Sequence, residues 1–143
     1  MRSLLERAPV VVLVAVGGGC GSLARVAVAD ACSGALEPWL ATSAINFVGC
    51  VLAGFAWARI AHGASERHRV RRLSWSAFVV TGFCGGFTTF SGFGLQTALL
   101  AGGGALGAAL GSFWLTIVVT LFGASAGVAL GRAGSRAGGG DRR

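Results

Sequence analysis

Four long apolar runs divide this sequence, and the charged residues fall almost entirely between them or beyond them. The first run extends from about Pro9 to Ala29, and the second, from about Trp39 to Ala58, contains no charge. From Leu73 to Gly131 there are 59 consecutive residues without Asp, Glu, His, Lys or Arg. A helix crosses the hydrocarbon core in about 20 residues, so this stretch is long enough for two crossings and a link. The Gly-rich segment Ala101–Gly107, AGGGALG, reads as that link. It leaves spans at about 75–100 and 108–130. The pattern predicts an all-α membrane protein with four transmembrane helices in one domain, residues 1–131. A polar Arg/Gly tail, residues 132–143, is expected to be disordered. Pro9 suits the first turn of its helix. The length of the first run, and the three runs after it, predict a retained helix rather than a leader.

Tryptophan and arginine positions orient these helices. Trp39 and Trp114 open spans two and four, Trp57 closes span two, and Trp75 opens span three. Four antiparallel crossings put one pair at each interface, as an aromatic belt requires. Arg2 and Arg7 precede span one. Arg59, Arg67, Arg69, Arg71 and Arg72 lie in the second link, and Arg132, Arg136, Arg142 and Arg143 follow span four. All eleven fall on one side, whereas the opposite links carry only Asp30 and Glu37. The positive-inside rule therefore predicts that both termini are cytoplasmic.

Composition narrows the picture further. Hydrophobic residues make up 54% of the 143-residue chain and charged residues 12%. A soluble domain this small could not hide so much apolar surface. The 25 glycines suit helices that pack closely in lipid. The net charge of +7 would fit nucleic acid, but the basic residues flank membrane spans instead of forming a binding face, so no nucleic-acid partner is expected. Cys20, Cys32, Cys50 and Cys84 match no zinc or redox spacing and read as small buried hydrophobes.

No enzyme constellation appears. His62 and His68 sit in the Arg-rich link, and every acid lies at or beyond a span end, so no intramembrane carboxylate is available for a proton relay. A small multidrug exporter, also built of four short spans, should carry such a Glu. Passive conduction or a structural role remains.

Three intramembrane features are candidates for chemistry. Arg25 ends GGGCGSLAR in span one, where it either snorkels to headgroups or places a positive charge at an aqueous vestibule. Asn46, with Thr42 one turn earlier, must find a partner in lipid: another helix or a passing anion. The run Thr81–Phe93, TGFCGGFTTFSGF, places Gly82, Gly85, Gly86, Thr88 and Thr89 in mid-span. Such poor helix propagators predict a broken third helix with freed carbonyls. Phe90 and Phe93, at i and i+3, share a face, and their positive ring edges can favour an anion as well as pack.

Taken together, these segments resemble the bacterial FluC (CrcB) fluoride channel family across all four spans. The resemblance rests on the Gly-rich stretch ending in Arg25, on Asn46–Gly49 after Thr42, and on GFCGGFTTFS at Gly82–Ser91. It implies an antiparallel dual-topology dimer in the bacterial plasma membrane, with narrow pores that passively export fluoride. Carried over by position, it implies a pore lined by Phe90 and Phe93, with Asn46 donating to fluoride and Ser91, Thr42 and Arg25 along the polar path. Thr116 and Thr120 match pore-facing serines. Carbonyls of Gly85 and Thr88 would hold a structural sodium ion at the dimer interface. The chain departs from the family at Ser91-Gly92-Phe93, where Ser-Thr-Phe is usual, so one hydroxyl of the track is absent. The one-sided arginines fit a heterodimer with an oppositely oriented homologous subunit better than a homodimer.

Reporter fusions at Arg143 are expected to report the cytoplasmic side alone. Substantial populations on both sides would overturn the single orientation.

Overall fold

The structure, a computed structural model, describes residues 2–61 and 69–137. Both histidines, Arg67 and the last six residues lie outside the described residues. The elements are α1 (Arg2–Cys32), α2 (Pro38–Ala61), α3 (Arg69–Trp75), a π-helical stretch (Ser76–Cys84), α4 (Gly85–Phe87), α5 (Phe90–Gly102) and α6 (Leu106–Ala137). Among the described residues there is no strand. Four stretches are long and apolar enough to cross a membrane: Pro9–Cys32, Pro38–Ala61, Arg72–Gly102 and Leu106–Gly134.

The α1–α2 and α5–α6 turns each have a local cause. Gly34 supplies the positive φ of +83° that reverses the chain after α1. Pro38 fills the first helical position of α2, and the carbonyl of Glu37 accepts from Leu40 and Ala41. Gly104, at φ +81°, turns the short link between α5 and α6. That link is shorter than the predicted Ala101–Gly107, because helix continues to Gly102 and resumes at Leu106. The last helix also outruns its predicted end, covering residues 132–137 of the expected tail. Arg and Ala are good helix formers, and α-helical hydrogen bonds persist into water once a long helix feeds them.

The helices pair through glycine. On one side α1 lies against the π-helical stretch and α4. A Cβ on Gly17 would run into the Phe78 carbonyl, and one on Gly21 into the Phe83 carbonyl. From the facing helix, Gly82 and Gly86 meet the backbones of Val14 and Gly18. On the other side α2 lies along α6, where Gly54 meets Ala124 and Gly127 meets Val51. Lipid tails are as apolar as side chains, so helices associate in a bilayer by such close backbone contact. The Gly82–Gly86 region, expected as part of the break, is accordingly helical, and its glycines serve the approach to α1. The π-helical stretch Ser76–Cys84 that includes Gly82 is longer than the usual single turn and has no visible signal in the residue pattern.

Helical structure stops in mid-span at Thr88 (φ −78°, ψ 155°) and Thr89 (φ −143°, ψ 120°), both extended, before α5 starts at Phe90. Phe87 is the midpoint of the third span, so these two residues lie at its centre.

Gly21→Val and Gly127→Val are expected to lower the thermal unfolding midpoint in detergent, each by the equivalent of about 1–3 kcal/mol, as overpacking does. Gly19→Ala and Gly111→Ala, where a Cβ meets nothing within 4 Å, are expected to leave the midpoint unchanged or raise it. Equal losses at all four positions would show that the close approaches do not control packing.

Candidate functional site

A β-branched pair cannot interrupt a membrane helix unless its backbone finds partners, since lipid offers none. Asn46 supplies them. Its Oδ1 accepts from the Thr89 backbone N–H at 2.7 Å, and its Nδ2 donates to the Thr89 carbonyl at 3.0 Å. The side-chain amide thus stands where a neighbouring strand would stand. Thr89 then starts the next helix, its Oγ1 accepting from the Gly92 N–H at 3.0 Å as an N-cap. Thr88 turns its hydroxyl back to the Cys84 carbonyl at 2.9 Å. Gly49 sits beneath, where a Cβ would strike the Thr88 methyl.

A groove of about 340 Å³ opens beside this interruption. Asn46 and Cys50 of α2 form one wall, Thr116, Ile117, Thr120 and Leu121 of α6 another, and Thr88, Thr89, Phe90 and Phe93 the third. Phe90 is 84% exposed and Phe93 only 8%, with ring centroids 5.7 Å apart and planes tilted by 58°. Phe93 rests in turn on Phe113 of α6 at 5.6 Å. One ring is anchored in the bundle and the other stands clear of it.

On α6, Ser112, Thr116 and Thr120, spaced by four, share one face, and the last two line the groove. Each returns its proton to a backbone carbonyl: Ser112 to Ala109, Thr116 to Ser112, Thr120 to Thr116. Thr116 also pairs with Ser43 of α2 at 2.7 Å, both nearly buried. A hydroxyl has one proton, so donation to a ligand must release a carbonyl. Asn46 differs, because an amide nitrogen carries two N–H groups and the Thr89 carbonyl takes one.

The structure therefore gathers Asn46, Thr88, Phe90, Phe93, Thr116 and Thr120 around one groove. Gly85, Thr42, Ser91 and Arg25 are not among its lining residues. Thr42 donates to the Pro38 carbonyl of its own helix at 3.0 Å, and exposed Ser91 pairs with Thr89 Oγ1 at 3.3 Å. Arg25 is half-buried, and its Nε donates to the Gly86 carbonyl at 3.2 Å beside Ser22. Its charge thus lies at the carbonyl end of the third span's first half, where a helix dipole favours a cation. Ser43 and Ser112 went unremarked in the sequence, and Cys50, read there as a small buried hydrophobe, is half-buried and lines the groove. Stepping from Asn46 by three residues back and four forward finds Ser43 and Cys50, and stepping back four from Thr116 finds Ser112.

Residues 12–131 match the family model described as CrcB-like protein, Camphor Resistance (CrcB). The chain is similar to the fluoride-specific ion channel FluC of Paracoccus denitrificans, 37% identical over 121 residues, covering 83% of this chain and 91% of the relative. It is also 39% identical to FluC of Agrobacterium fabrum over 127 residues, 85% and 95% of the two chains. With FluC of Chlorobium chlorochromatii it shares 42% over 110 residues, 75% and 81% of the two.

Asn46→Ala is expected to destabilise the fold, by about 1–3 kcal/mol for each Thr89 backbone group left unpaired. Thermal unfolding in detergent checks this, with Thr42→Ala as a comparison that should be nearly neutral. An unchanged midpoint for Asn46→Ala would show that Thr89 does not depend on the amide.

Proposed function

The chain belongs to the CrcB family, and we propose that it is a subunit of a fluoride-specific channel through which fluoride leaves the cytoplasm passively across a bacterial plasma membrane. The observation that carries this reading is the groove at the mid-span interruption. It brings an amide, aromatic rings and hydroxyls together around one groove without any carboxylate. A small anion entering a membrane must exchange its water for donors. The second Asn46 N–H and the ring edges of Phe90 and Phe93 are such donors, and the hydroxyls of Thr116 and Thr120 join them by rotating off their carbonyls. No carboxylate, histidine or arginine lines this groove, so it holds none of the side chains that usually relay protons. Arg25 contributes positive potential from behind Gly86 rather than by contact.

In this reading the extended residues Thr88 and Thr89 are the break of the third helix, and the groove is half of a pore. Phe90 stands exposed and a Cβ on Gly85 would meet nothing within 4 Å, which suits a surface covered by a second subunit. Among the described residues no hydrogen bond ends on the carbonyls of Gly85 or Thr88. Two such hard oxygens, repeated by a partner across a two-fold axis, fit a sodium ion, which would fix the two breaks against each other. The partner must be inverted for the breaks to face one another. Eleven arginines on one side oppose inversion of this sequence, so an oppositely oriented homologue is the natural partner. Gly92, where the family usually has Thr, leaves the fuller polar track to that partner.

Fluoride efflux from liposomes tests the reading. We expect weak efflux from this chain alone and strong efflux with an oppositely oriented homologue. Phe90→Ile and Phe93→Ile should reduce efflux by tenfold or more without preventing assembly, since about 1.4 kcal/mol of lost ring-edge attraction gives that factor. Asn46→Asp should reduce it further, because a carboxylate repels the anion. Wild-type efflux in all three variants, in every partner context, would sink the pathway. Robust efflux by the purified chain as a homodimer would overturn the paired-subunit assembly alone.

A further inference from the structure

A second cavity, mostly apolar with two polar side chains in its wall, lies between α2 and the start of the third span, away from the groove. It measures about 250 Å³ and is walled by Trp57, Ile60 and Ala61 of α2 and by Arg72, Leu73 and Ser76 of the third span. Arg72 Nε is fully buried there and has no hydrogen-bond partner among the described residues. Arg72 also lines the cavity, so its guanidinium stands within reach of an oxygen from outside the chain.

Charge and depth say which kind. By sequence, the segments that flank the spans on Arg72's side carry eleven arginines against three carboxylates, Glu6, Glu66 and Asp141, too few to balance them. Arg59 is already engaged, its guanidinium 6.0 Å from the Phe55 ring. Arg72 is fifteen residues from Phe87, the midpoint of its span, which puts it roughly 20 Å from the bilayer centre. The hydrocarbon half-thickness is about 15 Å, so that depth is the headgroup layer. Trp57, half exposed at the cavity rim, suits the same layer.

We propose that this cavity binds the phosphate of an anionic phospholipid, with the Arg72 guanidinium as its anchor, Ser76 as a second donor and Trp57 against the glycerol and acyl boundary. Basic pockets between helices on the cytoplasmic side recognise lipid headgroups in this manner. The site would tie α2 to the start of the third span across the link that joins them. It is independent of the ion pathway, since none of its residues lines the groove.

Native mass spectrometry of the full chain tests it, in micelles carrying phosphatidylglycerol or phosphatidylcholine. We expect retained phosphatidylglycerol adducts, about fivefold weaker in Arg72→Gln and unchanged in Arg132→Gln, which removes an exposed arginine of the same end. Arg72→Lys, which keeps the charge but loses the Nε donor, should fall between them, and it serves if the Gln variant does not fold. Equal retention in wild type and both Arg72 variants would overturn the site. Phosphatidylcholine held as firmly as phosphatidylglycerol would overturn it too. Inorganic phosphate that displaces the lipid adduct at millimolar concentration would show a free-anion site and overturn the lipid assignment.

Discussion

Two hydrogen bonds between the Asn46 side chain and the Thr89 backbone hold open the place where the third span leaves helical geometry. In lipid an unpaired peptide group costs several kcal/mol, so two extended residues in mid-span stand only if another element supplies both donor and acceptor. An asparagine can do this with one side chain, because its amide has the same donor and acceptor as a peptide. The consequences spread outward. Thr89 becomes the N-cap of α5, Phe90 is turned out of the bundle, and Phe93, one turn later, packs on Phe113.

That clamp works only because α2 and α6 form a firm backing. Gly54, Gly123, Gly127 and Gly131 bring those helices into backbone contact, and Ser43 is bonded to Thr116 across the same interface. On the other flank, glycines of α1 and of the third span do the same for the segment leading into the break. Arg25 and Ser22 then hold the Gly86 carbonyl, so both sides of the interruption are tied to different helices. The two extended residues are thus flanked by side-chain contacts from both α1 and α2.

The groove's chemistry follows from how those polar atoms are already committed. Threonine hydroxyls on α6 keep their protons on carbonyls one turn back, which keeps the helix stable when no ligand is present. The spare Asn46 N–H and the aromatic edges carry no such obligation, and no carboxylate lines the groove.

Sequence alone determined the four long apolar helices, because burial in lipid is a composition-level demand that any long apolar run must meet. It also singled out Asn46 and the Thr81–Phe93 run, since an amide and a cluster of poor helix formers are conspicuous in a bilayer. It did not locate the interruption. Gly82, Gly85 and Gly86 look like the weakest points by propensity, yet they stay helical, and Thr88 and Thr89 do not. Propensity ranks what a residue tolerates in isolation, whereas here the outcome turned on which backbone groups a neighbouring helix could satisfy. Thr42 and Ser43 show the same limit at finer grain. Adjacent in sequence and alike in chemistry, they point about 100° apart on α2. Only the packing of α2 on α6 decided that Ser43 would meet Thr116 while Thr42 turned back to its own helix.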